Sequence, residues 1–155
     1  MPAEPRWLDE REAHVWQAYL DLQRELLGAI ERQLALSSGL TGADYSVLVP
    51  LSEAPDGALR PRELCASTGW DRSRLSHQLR RMEKRGLLTR EECATDARGS
   101  VARLTDAGRV AIVAAAPEHV ETVRRYFFDV VTPREQDALV AVFDRVLTNL
   151  GADTT

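Results

Sequence analysis

The sequence predicts a mainly α-helical domain carrying a small β-hairpin, and three observations support that expectation. Apolar residues recur at i, i+3, i+4 spacing through long stretches at both ends of the chain. In the middle, two short amphipathic segments, 61–67 and 71–85, are joined by Thr68-Gly69-Trp70. Directly after them, two short runs, Leu88–Cys93 and Ser100–Leu104, flank a polar loop ending in Gly99, as the strands of a hairpin do.

Taken in order, residues 8–36 read as one long helix. Trp16, Tyr19, Leu20, Gln23, Leu26, Leu27, Ile30 and Leu34 share a face, with Asp21, Arg24, Glu25, Glu31 and Arg32 elsewhere. Such a helix spans roughly 43 Å, whereas a domain of this size has a radius of gyration near ~15 Å. The helix is therefore expected to overhang its own core and to need a second subunit; the alternative is a helix covered by its own chain. Thr41 and Asp44 mark the next helix start, and Tyr45, Leu48 and Val49 supply its apolar face. Pro50 removes a backbone donor there, so a kink or an end near Val49 is expected. Ala54-Pro55-Asp56-Gly57 is a turn, and Ala58–Arg60 a short strand.

Pro61 is suited to the first position of a helix, which runs to Ser67 and buries Leu64 together with Cys65 or Ala66. Asp71 is a good N-cap for the next helix, and Gly86 a good stop. Thr105 caps a further helix, in which Pro117 is expected to produce a kink before the portion 118–131. Thr132-Pro133-Arg134-Glu135 combines an N-cap, a first-turn proline and a capping-box glutamate. Val120, Val123, Phe127 and Val131 line one face of the penultimate helix, and Leu139, Val142, Phe143, Val146 and Leu150 one face of the last. Residues 151–155 are expected to fray.

A chain of 155 residues with 44% hydrophobic and 28% charged residues fits one soluble globular domain, residues 1–155. It holds no apolar run long enough to cross a membrane. The polar, acidic start lacks a signal-peptide core, so a cytoplasmic location is expected. Two cysteines, Cys65 and Cys93, are too few for a disulfide framework. Cys65 reads as a small core residue, and Glu91 and Glu92 would hold the Cys93 thiol protonated rather than reactive. His14, His77 and His119 share no metal-ligand spacing, and no phosphate-binding glycine loop or nucleophile–base set stands out. No metal, cofactor or catalytic residue is expected.

The net charge of −4 hides a division. Residues 60–109 hold 12 Arg or Lys against 7 Asp or Glu, a balance of +5; the rest hold 8 against 17, a balance of −9. An acidic body with one basic block offers a local footprint for a phosphate backbone. The block centres on DRSRLSHQLRRMEKR, residues 71–85. Leu75, Leu79 and Met82 make a narrow apolar stripe; Ser73, His77, Arg80 and Lys84 lie opposite, flanked by Arg74 and Arg81. As the second of two short helices joined by a glycine-containing turn, this segment matches the reading helix of a helix-turn-helix, which lies in the major groove and leads with its N-terminal residues. Alone, it could equally be a solvated basic surface.

The stretch ELCASTGWDRSRLSHQLRRMEKRGLLTRE, the hairpin loop TDARG and the following ARLTDAG, together residues 63–108, resemble the MarR family of winged helix-turn-helix transcriptional regulators. The flanking helices match in placement. The resemblance implies a winged helix-turn-helix over 58–104 between dimerisation helices at 8–36 and 117–150. It implies a homodimer bound to a pseudo-palindromic site in double-stranded DNA, acting as a repressor. Ser73, Arg74, Ser76 and His77 would then contact base edges, and Arg80, Arg81 and Lys84 phosphates, with Arg72 able to do either or to cap a carbonyl. Arg98 at the hairpin tip would enter the minor groove, with Asp96 holding the wing in place. Glu91 and Glu92 require the first wing strand to face away from phosphate.

Family relatives that answer to phenolic ligands suggest a small aromatic effector. Two readings stand for Trp7, Trp16, Tyr19 and Tyr45: core or subunit interface, or the lining of an effector cavity. No effector-binding residue is assigned. The alternative function is a protein-interaction module that keeps the fold and antagonises another regulator.

Overall fold

A computed structural model describes residues 4–92 and 100–152. They divide into two compact units, one ending at His119 and one beginning at Val120. The expected Asp96, Arg98 and Cys93 lie outside the described residues.

The first unit opens with α1, Glu10–Ser38. Asp9 caps it by accepting from the Glu12 N–H at 2.8 Å, while the Glu12 carboxylate accepts from the Asp9 N–H at 2.9 Å. Every residue from Glu10 to Leu20 is exposed, and only Leu34, near the C-terminal end, is fully buried. Trp16 keeps 54% of its surface exposed, so the chain does not cover its own helix.

Helix α2, Gly42–Glu53, starts on a Thr41–Asp44 capping box. Of the two alternatives expected at Pro50, the end near Val49 does not occur; the helix runs on to Glu53. Val47, Leu48 and Leu51 are fully buried, and continuing the helix is what brings Leu51 into the core beside the other two. Apolar burial contributes about 1.5–3 kcal/mol for each such side chain, enough to offset an internal proline at roughly 3 kcal/mol.

Strand β1, Ala58–Leu59, leads to α3, Pro61–Thr68, and α4, Arg72–Lys84. Helix α3 buries Leu64 fully and Cys65 in part, leaving Ala66 exposed. Strands β2, Leu88–Glu92, and β3, Ser100–Leu104, complete an antiparallel sheet of order β1-β3-β2. Leu88 pairs with Leu104 and Arg90 with Ala102, while Leu59 meets Ala102 from the other side. Leu34, Leu40, Leu64, Leu75, Leu79, Met82, Leu88, Ile112 and Ala115 join the α2 residues in one buried cluster.

Helix α5, Asp106–Tyr126, follows β3. Thr105 accepts from the Gly108 N–H at 3.0 Å and donates its hydroxyl to the Gly86 carbonyl at 2.6 Å. A Cβ on Gly108 would lie 2.0 Å from the Leu87 carbonyl oxygen, so only glycine lets the helix start this close to the end of α4. The helix runs through Pro117 and ends at Tyr126 rather than continuing to Val131; a single 3-10 turn, Phe128–Val130, follows it.

In the second unit, α6 spans Pro133–Ala152, so Gly151 and Ala152 are helical rather than frayed. The Thr132 N–H donates to the Glu135 carboxylate at 2.8 Å and the Thr132 hydroxyl oxygen accepts from the Glu135 N–H at 3.4 Å, as the capping box requires. Val142, Phe143, Val146 and Leu150 on its apolar face are all exposed.

Candidate nucleic-acid interface

Two devices fix the ends of α4. The Asp71 carboxylate accepts from the Arg74 N–H at 2.9 Å, and these backbone hydrogen bonds lower its pKa. At the other end Gly86 takes φ of 73°, its N–H donates to the Glu83 carbonyl at 2.9 Å, and the Leu87 N–H donates to the Met82 carbonyl at 3.1 Å. This is the Schellman arrangement, with Leu87 and Met82 both buried behind it.

Between these stops the helix has two faces. Leu75, Leu79 and Met82 are buried as the spacing predicts, and Gln78 is buried with them. Arg72, Ser73, Arg74, His77, Arg80, Arg81 and Lys84 are exposed, and Ser76 is half-buried. No carboxylate of the described residues lies within salt-bridge distance of Arg72, Arg74, Arg80, Arg81 or Lys84. Elsewhere Arg24, Arg85, Arg90, Arg103 and Arg124 each face an Asp or Glu, while Arg11, Arg32 and Arg134, like the α4 cations, have no described carboxylate within that distance. What sets α4 apart is that its five such cations lie on one short helix. Glu83, the only acidic residue within α4, is occupied by Arg90 of β2 through bonds of 2.8 and 2.6 Å, which lower its pKa. That pair ties β2 to α4 and leaves the outer charge of the helix positive.

Two of the exposed arginines are held. The Arg74 guanidinium stacks over the Trp70 ring at 4.3 Å from its centroid. Arg81 donates to the Gln78 side-chain carbonyl. Ala43, Trp70, Arg74, His77, Gln78 and Arg81 line a groove of about 370 Å³ along this face.

Trp70 and Gln78 were not among the residues the sequence singled out. Gln78 had a signal: it falls at i+3 on the Leu75–Leu79–Met82 stripe, where a polar residue needs a buried partner. Glu91 lies on the wing strand as expected, and Arg103 of β3 compensates its charge at 3.1 Å. The aromatic residues proposed for an effector cavity fall into separate pairs. Trp16 stacks on Tyr19 at 5.5 Å, Tyr45 meets His119 at 4.2 Å, and Trp7 is exposed. No helix of the described residues is long and apolar enough to cross a membrane.

A short helix, a glycine turn, a capped cationic helix and an antiparallel wing define a winged helix-turn-helix protein. The MarR family model matches residues 38–99. Sco3205 of Streptomyces coelicolor, a MarR family transcriptional regulator solved in complex with DNA, is 40% identical over 94% of this chain and 92% of its own, with a TM-score of 0.90. AbsC, a MarR family transcriptional regulator of the same organism, is 37% identical over 96% of this chain and 99% of its own, also with a TM-score of 0.90. CouR of Rhodococcus jostii RHA1, solved bound to p-coumaroyl-CoA, is 27% identical over 83% of this chain and 87% of its own, with a TM-score of 0.66. No curated protein matches. The chain belongs to the MarR family of transcriptional regulators.

Proposed function

We propose that this chain is a transcriptional repressor, not an enzyme, that acts in the cytoplasm as a homodimer on a pseudo-palindromic site in double-stranded DNA. The observation that carries the reading is the run of exposed cations on α4 that no described carboxylate compensates. Such charge is offset by displacing condensed counterions from a phosphate backbone. The DNA complex of Sco3205 supports the same reading.

In this account residues 58–104 form the DNA-binding part, and 8–36 and 117–150 form the dimerisation helices. Helix α4 enters the major groove, with Ser73, Arg74, Ser76 and His77 at the base edges and Arg80, Arg81 and Lys84 on phosphates. Arg72 completes the leading turn. Arg98, supported by Asp96, reaches the adjacent minor groove from the wing. Release by a small molecule is part of the proposal, supported by the complex of CouR with p-coumaroyl-CoA. The test is to capture genomic fragments on the purified protein and sequence them. A shared inverted repeat is expected; bound fragments with no common sequence would refute the reading.

A further inference from the structure

One buried carboxylate inside the fold is bonded both to α4 and to the residue that caps it. Asp44 lies in the first turn of α2 with its side chain 1% exposed. Its Oδ1 accepts from the Gln78 amide at 2.7 Å, and its Oδ2 accepts from Arg85 at 2.6 Å and from the Thr41 N–H at 2.9 Å. Arg85 also donates to the Gly39 carbonyl at 3.0 Å, at the end of α1. A buried carboxylate is costly unless charge and hydrogen bonds satisfy it, and here they do. Burial by itself would raise its pKa, but the Thr41 N–H and the Arg85 guanidinium outweigh that and hold Asp44 ionised below the ordinary carboxylate range.

Gln78 within α4 and Arg85 at its C-cap stand seven positions apart, and both end on this one side chain. The rest of the buried face of α4 is Leu75, Leu79 and Met82, whose packing is non-directional and tolerates small rotations. Hydrogen bonds are directional and do not. Gln78 uses its amide N–H on Asp44 and its carbonyl on Arg81, so the buried carboxylate is linked through one residue to an exposed guanidinium.

We propose that Asp44 and Gln78 are positioning residues for DNA recognition. Neither touches DNA; the relay from Asp44 through Gln78 aims Arg81. The inference rests on the DNA-binding reading above and adds to it residues from the protein interior.

The test is a double-mutant cycle on the captured DNA fragment, with random-sequence DNA measured at the same salt concentration. Gln78→Leu keeps the volume and the net charge. It is expected to weaken specific binding roughly 10-fold, the scale of one lost directed contact, and to leave random-sequence binding within about 2-fold because no charge is removed. Arg81→Ala should weaken specific binding by a similar factor, and the double variant no further, because Gln78 acts through Arg81. Asp44→Asn, run through the same cycle, keeps the readout available if Gln78→Leu fails to fold. Additive losses, equal losses on specific and random DNA for the charge-conserving Gln78→Leu, or wild-type affinity in both relay variants would overturn the relay while leaving the DNA-binding reading intact. Arg81→Ala, which removes a phosphate contact, should weaken binding to both DNAs. A wild-type protein that selects no fragment would instead remove the reading on which the relay stands.

Discussion

The central block, from Leu34 through the sheet to Ala115, and the apolar faces of α1 and α6 are built from the same residue types and end in opposite states. In the first, Leu34, Leu48, Leu51, Leu64 and Met82 have no exposed surface. In the second, Trp16, Leu27, Phe143, Val146 and Leu150 each expose more than two fifths of theirs. One region is completed by its own chain, and the other is left unfinished. Exposed apolar residues repeated along a helix face are a common mark of an interface, which is the physical basis for proposing a second copy on each of these faces. Helix α4, the proposed DNA-reading helix, belongs to the first region, so its geometry is set by the fold, whereas in the proposed dimer the spacing between two such helices would be set by the second.

Substitutions in the two regions separate these roles. The largest effect is expected from Val146→Asp, which puts a charge on the open face of α6. A single chain should tolerate it within about 0.5 kcal/mol, as surface sites do. A buried dimer interface should not, since an unpaired buried charge costs several kcal/mol. Analytical ultracentrifugation should therefore show dissociation to monomers; a dimer unchanged at micromolar concentration would break the assignment. Leu48→Ala tests the closed region, with an expected loss of about 2–5 kcal/mol in urea unfolding and no change in subunit number at concentrations where the chain is folded. A loss below 1 kcal/mol would mean that the core is less closely packed than described.

Gly108→Ala comes next. The added methyl would meet the Leu87 carbonyl oxygen and Leu104, so a loss of about 1–3 kcal/mol is expected as the junction of α4, β3 and α5 shifts. Unchanged stability would show that this junction has room.

The smallest effect is on pH dependence. Burial holds the His119 imidazole, packed on Tyr45, below its ordinary pKa of 6.5. A lowered folded-state pKa means that the unfolded chain takes up the proton first. The contribution of His119 is therefore full above about pH 6.5 and is lost as pH falls through the folded-state value. Wild type should lose more stability than His119→Phe between pH 7 and pH 5. Parallel curves would show that His119 is not the responsible group.

Local chemistry made much of this readable in advance. Asp71 and Gly86 bound α4, Thr105 and Thr132 open their helices, and the i, i+3, i+4 spacing marks the faces that meet the core. The helix end expected near Val49 does not occur, because the local penalty at Pro50 says nothing about the burial that opposes it. Leu51 lies just beyond Pro50, and its burial belongs to the tertiary structure. The Asp44–Gln78 bond joins residues 34 positions apart, so no window along the sequence contains it. Asp44 therefore read only as a helix-start residue, and Gln78 not at all. Of the candidate contacts, those on α4 lie on one helix and could be placed by periodicity, whereas Asp96 and Arg98 fall outside the described residues.

The central claim is that the uncompensated cations of α4 meet a phosphate backbone. Its most direct test is the affinity for a captured fragment across a range of salt concentrations, for wild type and for Lys84→Ala. Wild type should give a steep negative slope of log affinity against log salt, and Lys84→Ala a slope shallower by about one unit. A flat wild-type slope, or one that Lys84→Ala leaves unchanged, would contradict the claim.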